Sequence, residues 1–396
     1  MTLRRRSRAS ARLVLFLATA VAAAAAAPVS AAELSLPGRL QLEAHGFVSQ
    51  GFLLTSSNNY LADSSRGSFE FSELGLNFTL QPADRLRLGV QIFSEDLGPI
   101  GNYQAKLDWY YLDYHWQDWL GVRAGRVKLP FGLYNDTSDI DAARTAVLLP
   151  QSIYPAQNRN FLLAQTGGEI YGYKSLGRAG ALDYHLYGGT IFLDVNPQSP
   201  NSPFTVLDLN VPYVTGGRLL WNSPLDGLRL GGSLQFLRLD THLQPSGTSS
   251  SVELNVPATL WVASAEYVVR DFLFAAEYSR WRVRTESNNQ SVFPDSSTTS
   301  ERGYALATYR VNSWLQAGGY YSLLFPNVDR RTGPGGRQHD VALTLRFDVN
   351  SYWLIKVETH YMHGTAALSP SLNGDQPLNS LKPDWALFTV KTTAYF

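Results

Sequence analysis

Apolar and polar residues alternate with period two in short stretches from Leu40 to Phe396, and the gaps between the stretches are alternately short and long. In one stretch Leu86, Leu88, Val90 and Ile92 share a face, while Arg85, Arg87, Gln91 and Glu95 take the other. Successive side chains of a strand point to opposite sides, so such a stretch is a strand with one oily and one wet face. Val341, Leu343, Leu345 and Phe347 likewise oppose Thr344, Arg346 and Asp348. Trp353, Ile355 and Val357 oppose Lys356, Glu358 and His360, and Leu40, Leu42 and Ala44 oppose Gln41, Glu43 and His45. One such strand would also suit a soluble sandwich. About sixteen of them, joined alternately by tight turns and long polar loops, predict an all-β fold, a transmembrane antiparallel β-barrel.

The tight turns are marked by Gly, Pro, Asn, Asp and Ser, as at Pro82-Ala83-Asp84, Gly177-Arg178-Ala179-Gly180 and Asn350-Ser351. Aromatic residues gather near strand ends: Trp109, Tyr110, Tyr111, Trp116 and Trp119 around one turn, and Trp221, Trp314, Trp353 and Trp385 near others. Indole and phenol rings at such places suit a bilayer interface. The N-terminus carries Arg4, Arg5, Arg6, Arg8 and Arg12, an apolar run from Leu13 to Ala27, and small residues up to Ala32. This is read as a secretory signal, 1–32, cut before Glu33, leaving 33–396 as a single barrel domain. Those five arginines are among 33 basic residues, and the signal holds none of the 33 acidic ones, so the mature chain has 28 against 33, a net −5. With no basic block, nucleic acid is not an expected partner. Cysteine is absent, which removes any disulfide framework.

The longest gap, Pro130 to Gln165, has helical character from Ser138 or Asp139 through Leu148, ended by Pro150. A loop this long with apolar residues must pack against something. It is expected to fold into the barrel and narrow it; the alternatives are a cap on the outside or a contact with a neighbouring subunit.

The junction Gly125-Arg126-Val127-Lys128-Leu129-Pro130-Phe131-Gly132 resembles the strand-to-loop junction of bacterial outer-membrane porins, nearest the phosphate-selective porin O/P group. The resemblance implies sixteen strands, a third extracellular loop that enters the pore, a homotrimer, and a Gram-negative outer membrane. The rows of Arg and Lys typical of phosphate-selective members are not evident. The C-terminal strand, ending on Phe396, resembles the strand that the barrel assembly machinery reads, although Ala394 stands where those proteins usually have a larger apolar or aromatic residue.

With the apolar face toward lipid, the lumen receives Arg85, Arg87, Lys106, Arg123, Arg218, Arg229, Arg346, Lys356 and Lys391. It also receives Glu43, Glu73, Glu95, Asp108, Asp183, Glu266 and Glu358. Mixed charge around the whole wall suits a water-filled pore. The loop adds Asp136, Asp139, Asp141, Arg144 and Arg159, with its carboxylates expected opposite Arg85, Arg87 and Arg123. Arg280, Arg282 and Arg284 share the face of Phe272, Phe274 and Ala276. Either that strand has left the membrane by then, or a bulge turns them inward. No Gly-x-Ser-x-Gly or His-Glu-x-x-His motif accompanies the scattered histidines, so neither enzyme activity nor a cofactor or metal is expected. The function expected is passive diffusion of small polar solutes and ions. A substrate-specific anion channel and a surface-binding adhesin or receptor stay open as alternatives. The expected partners are outer-membrane lipid and lipopolysaccharide, the assembly machinery and the solutes themselves.

Overall fold

The strands run β1 (Ala32–Leu36), β2 (Leu40–Thr55), β3 (Phe71–Ala83), β4 (Leu86–Leu97), β5 (Lys106–Gln117), β6 (Leu120–Lys128), β7 (Ala164–Ser175), β8 (Ala181–Ile191) and β9 (Phe204–Asn222). They continue as β10 (Leu228–Pro245), β11 (Val252–Val269), β12 (Phe272–Ser287), β13 (Ser296–Arg310), β14 (Leu315–Phe325), β15 (Gln338–Asn350), β16 (Trp353–Gly364) and β17 (Asp384–Tyr395). The computed structural model describes residues 32–36, 40–193 and 203–396, so all but the last residue of the expected signal lies outside it. From β2 to β17 each strand pairs antiparallel with the next, and β17 returns to β2 with Leu387 opposite Thr55 and Tyr395 opposite Phe47. The result is a closed sixteen-strand antiparallel barrel. Closure satisfies the backbone groups that a free edge would expose. The short β1, paired to the start of β2, is an addition that the alternation did not foretell.

Short turns join the strands at one end and long loops at the other, and the register fixes what each side chain faces. Exposed Leu88, Leu107, Leu112, Ile170, Leu186, Leu219 and Leu343 make the outer surface oily. Buried Gln91, Glu95, Glu169, Glu266, Glu277, Glu358 and Lys391 occupy the enclosed face. That face is not polar all round. Tyr187, Leu220, Leu237, Leu260, Val262, Ala275, Trp281 and Tyr304 form an apolar sector with Leu129, Phe131, Leu133, Leu149 and Ile153 of the loop after β6. At the loop end, 56–70 and 365–383 are tied over the β17–β2 seam: Asn58 donates to the Lys382 carbonyl at 2.8 Å, and Tyr60 meets the Trp385 ring edge-on at 5.2 Å.

Two expectations about aromatic placement are corrected. Trp385 is buried, donating to the Gly364 carbonyl at 3.0 Å, because it anchors that seam. Trp109 stacks on Tyr111 and lines an internal cavity. A bulge, opposite Gln91 and Ile92, skips Asp108 in the β4–β5 register and shifts which residues face inward. Trp116, Trp119 and Trp314 do stand exposed at the turn end. The arginine row is also resolved: register is unbroken from Phe272 to Thr285, so no bulge turns Arg280, Arg282 and Arg284 inward, and all three are exposed on the outer face.

Candidate functional site

The segment joining β6 to β7, residues 129–163, leaves the wall at Gly125-Arg126-Val127-Lys128-Leu129-Pro130-Phe131-Gly132, and both glycines of that motif have a structural task. Gly125 has φ +133° and a Cβ there would lie 2.4 Å from the Tyr110 carbonyl oxygen. Gly132 has φ +62°, and its missing Cβ would lie 2.3 Å from the Tyr154 hydroxyl. Left-handed backbone and close approach both require glycine.

The expected helix over 138–148 does not form. Short 3-10 turns at Asn135–Thr137 and Asp141–Ala143 give way to extended backbone at Arg144 (φ −137°, ψ 155°). Main-chain carbonyls that a helix would use internally serve wall cations instead. Arg346 on β15 donates to the carbonyls of Ala142 (2.6 Å) and Arg144 (3.1 Å). Lys356 on β16 donates to those of Asp141 (2.7 Å) and Ala146 (3.0 Å).

Three sets of contacts hold the segment to separated parts of the wall. The first is on β4, β5 and β6. Asp139 accepts from Lys128 at 2.5 Å and Gln91 at 2.9 Å. Arg159 grips Asp108 with two bonds, 2.9 and 2.7 Å, and lies 3.9 Å over the Phe93 ring. This two-pronged pairing is the strong form of a carboxylate contact. The bulge that skips Asp108 in the register lets its carboxylate meet Arg159 and Gln91. Lys106 lies 3.6 Å from Glu95 and bonds Asn160 at 2.7 Å.

The second set is on β15, β16 and β17. Asp141 accepts from Lys391 and Thr393, each at 2.8 Å, and from Arg144 at 2.9 Å, with Lys356 at 3.6 Å. Lys391 also reaches Glu73 at 2.6 Å. Glu358 accepts the Val147 and Leu148 amides at 2.8 and 3.0 Å, and His360 bridges Glu358 and Asp340. Lys356 and Lys391 are fully buried, which is tolerable only because each ammonium has these partners.

The third set is on β9 to β14. Arg218 pairs with Asp136 at 2.8 Å, and Tyr134 donates to Glu266 at 2.9 Å, itself paired with Arg229 at 2.6 Å. Glu277 accepts from the Leu133 amide and from the hydroxyls of Tyr154, Tyr304 and Ser264. Glu277 is absent from the expected set, although its parity opposite Phe274 and Ala276 marks it as inward. Ser152 donates to the Gly303 carbonyl at 3.1 Å and accepts from Ser322 at 2.8 Å.

Lys106, Arg218, Arg229, Arg346, Lys356, Glu73, Glu95, Asp108, Glu266 and Glu358 therefore lie on the enclosed face with the loop's Asp136, Asp139, Asp141, Arg144 and Arg159. The expected partners of the loop carboxylates are corrected. Arg85 sits in the β3–β4 turn and Arg87 is exposed two residues beyond it. Arg123 is spent on Asp113 (3.2 Å) and Glu169 (3.1 Å) within the wall. The loop carboxylates meet Arg218 of β9 and lysines of β6, β16 and β17 instead. Glu43 lies near the turn end of β2, and Asp183 is taken by His185 at 3.2 Å. Phe396 exchanges backbone bonds with Gly46 at 2.9 and 3.2 Å, and its ring fills the space where a Cβ of Gly46 would sit.

Cavities remain beside the segment. One of about 80 Å³ is lined by Glu73, Glu95, Asp139, Arg144, Arg159 and Lys391. Glu95 is buried there with its Oε1 lacking a hydrogen-bond donor. A second, of about 520 Å³, lies toward the turn end, bounded by Arg270, Arg310, Arg346 and again Arg144.

No family model matches the chain, and no curated protein does. Solved structures do. The chain is similar to the outer-membrane expressed OmpT of Vibrio cholerae, with a TM-score of 0.59 at 11% identity over 92% of this chain and 100% of that one. It is similar to an anion-selective porin from Comamonas acidovorans, TM-score 0.56 at 11% identity over 90% and 100%. It is similar to Salmonella typhi OmpF in complex with daunomycin, TM-score 0.53 at 14% identity over 92% and 100%. At these identities the likeness is one of fold, the closed antiparallel barrel of outer-membrane proteins.

Proposed function

We propose that the chain is a porin-like channel of a Gram-negative outer membrane, passing small polar solutes and ions by diffusion, with the loop 130–165 folded inward to narrow it. The observation that carries this reading is that one segment bonds to Gln91 on β4, Glu277 on β12 and Lys391 on β17, strands spread around the ring, while a charged cleft stays beside it. Asp141 meets Thr393, two residues from the turn-end limit of β17, a depth that a cap over the mouth would not reach. The apolar sector on β8 to β13 closes one side, so passage runs along β3, β4 and β17 between Glu73, Glu95, Asp139 and Arg144, Arg159, Lys391. About 80 Å³ admits several waters, which suits ions and small solutes. Export by a signal cut after Ala32, reading of Phe396 by the assembly machinery, and a homotrimer belong to the same proposal. So does the absence of catalysis; among the described residues the one deeply buried histidine, His360, has both ring nitrogens taken up by Asp340 and Glu358.

A second reading, an anion channel of the phosphate-selective porin O/P kind, has one observation of its own. Arg302 faces inward over the Trp281 ring at 3.5 Å and, among the described residues, bonds only neutral groups, Ser300 Oγ and the Ser152 carbonyl. Purified folded protein in a planar bilayer tests both. Stepwise conductance supports a channel; reversal potentials favouring anions, with phosphate blocking the current, support the second reading. No steps from folded protein would leave an adhesin or an enzyme.

A further inference from the structure

The outward row on β12 has no part in the channel. Arg280, Arg282 and Arg284 project on the oily side of the barrel, above Phe272, Phe274 and Tyr278. From Phe272 to Arg282 the strand rises about 34 Å at ~3.4 Å per residue. With a strand tilt of about 40° this spans the apolar band of about 25 Å, so Arg282 and Arg284 stand where hydrocarbon gives way to headgroups and Arg280 lies just below them. The register sets Trp261 beside Arg280 and Thr259 beside Arg282 on β11. On β13 it sets Glu301, Thr299 and Ser297 beside the three arginines in turn. Glu301 is shared between Arg280 at 3.4 Å and Arg331 at 2.7 Å. Glu286 tops the row, in register with Asn255. Among the described residues neither Arg282 nor Arg284 has an ion-pair partner, and their nearest cross-strand neighbours are hydroxyls.

We propose that Arg280, Arg282 and Arg284, with Thr259, Thr299 and Ser297, bind the phosphate of an anionic glycolipid headgroup in the surrounding leaflet. Guanidinium forks match phosphate oxygens, and hydroxyls supply further donors. A basic row at this height meets the headgroup charge of the membrane, where each arginine strengthens attraction. The inference rests on the outer-membrane placement proposed above, but not on conduction: lipid binding without channels, or channels without lipid binding, would separate the two.

The test is titration of the folded, detergent-solubilised protein with bisphosphorylated lipid A, followed by native mass spectrometry. Arg282→Gln with Arg284→Gln should weaken binding on the order of tenfold, whereas Arg178→Gln with Arg270→Gln, at the opposite rim, should not. Arg282→Lys with Arg284→Lys should retain most of it. If the glutamine variant does not fold, lipid A lacking its phosphates serves with the native chain, and it should bind on the order of tenfold more weakly. Equal binding of the glutamine variant, equal loss in the rim control, or equal binding of phosphate-free lipid would overturn the proposal.

Discussion

Asp141 of the loop and Lys391 of β17 meet at 2.8 Å, both buried, and the same ammonium reaches Glu73 on β3 at 2.6 Å. The pair joins the loop to the strand that closes the barrel. Removing one partner of a buried pair leaves an uncompensated charge, at a cost of about 3 to 5 kcal/mol. Asp141→Asn should therefore loosen the loop from β16 and β17, since Lys356 loses its carboxylate and Lys391 keeps only Glu73 on the wall. Limited proteolysis of folded protein should then cut within 138–150 faster than in the native chain; an unchanged rate would mean that the pair does not hold the loop.

Gly132 tests the motif at the loop's start. Alanine there must adopt φ +62° and place a Cβ against the Tyr154 hydroxyl, which also serves Glu277. The expected loss is about 1 to 3 kcal/mol, read as a lower temperature for the heat-modified gel shift. Gly177 also has positive φ but nothing within 4 Å of its Cβ position, so Gly177→Ala should cost less.

Acid should act on the loop late. Burial works to raise the Asp139 carboxyl, and Lys128 and Arg159 overcome it, holding the carboxyl down to about 2. A depressed folded value stabilises fully above the unfolded value near 3.8 and is lost as pH falls toward 2, about 2 kcal/mol in all. Asp141 is held low in the same way, burial opposing and Lys391 and Lys356 prevailing. Protection of the loop from protease should be flat from pH 8 to about 4 and fall only below that. Loss already at pH 5 to 6 would point away from these carboxylates.

The barrel was legible because its signal is redundant. A period of two repeats in strand after strand, so Leu343 and Arg346 declare their faces without any knowledge of their neighbours. The loop's charged residues were legible as a set, but their partners were not. Which cation meets Asp139 depends on how far the chain travels after Gly132, and Lys128 lies only eleven residues away. The helix expected over 138–148 failed for a tertiary reason: Arg346 and Lys356, some two hundred residues distant, take its carbonyls. The apolar sector was hidden too. Leu237 and Leu260 stand beside residues that are also apolar or aromatic, Phe236 and Trp261, so parity there carries no contrast, and Trp281 between Arg280 and Arg282 reads the wrong way round. The bulge that skips Asp108 leaves no compositional mark at all.

The most direct test of the central claim replaces residues 130–162 by a short Gly-Ser linker and compares single-channel conductance with the native chain at equal salt. A loop that crosses the barrel and fills its β8 to β13 side predicts small native steps and steps several-fold larger without it, with larger neutral solutes admitted. Equal steps from two folded proteins would contradict the account.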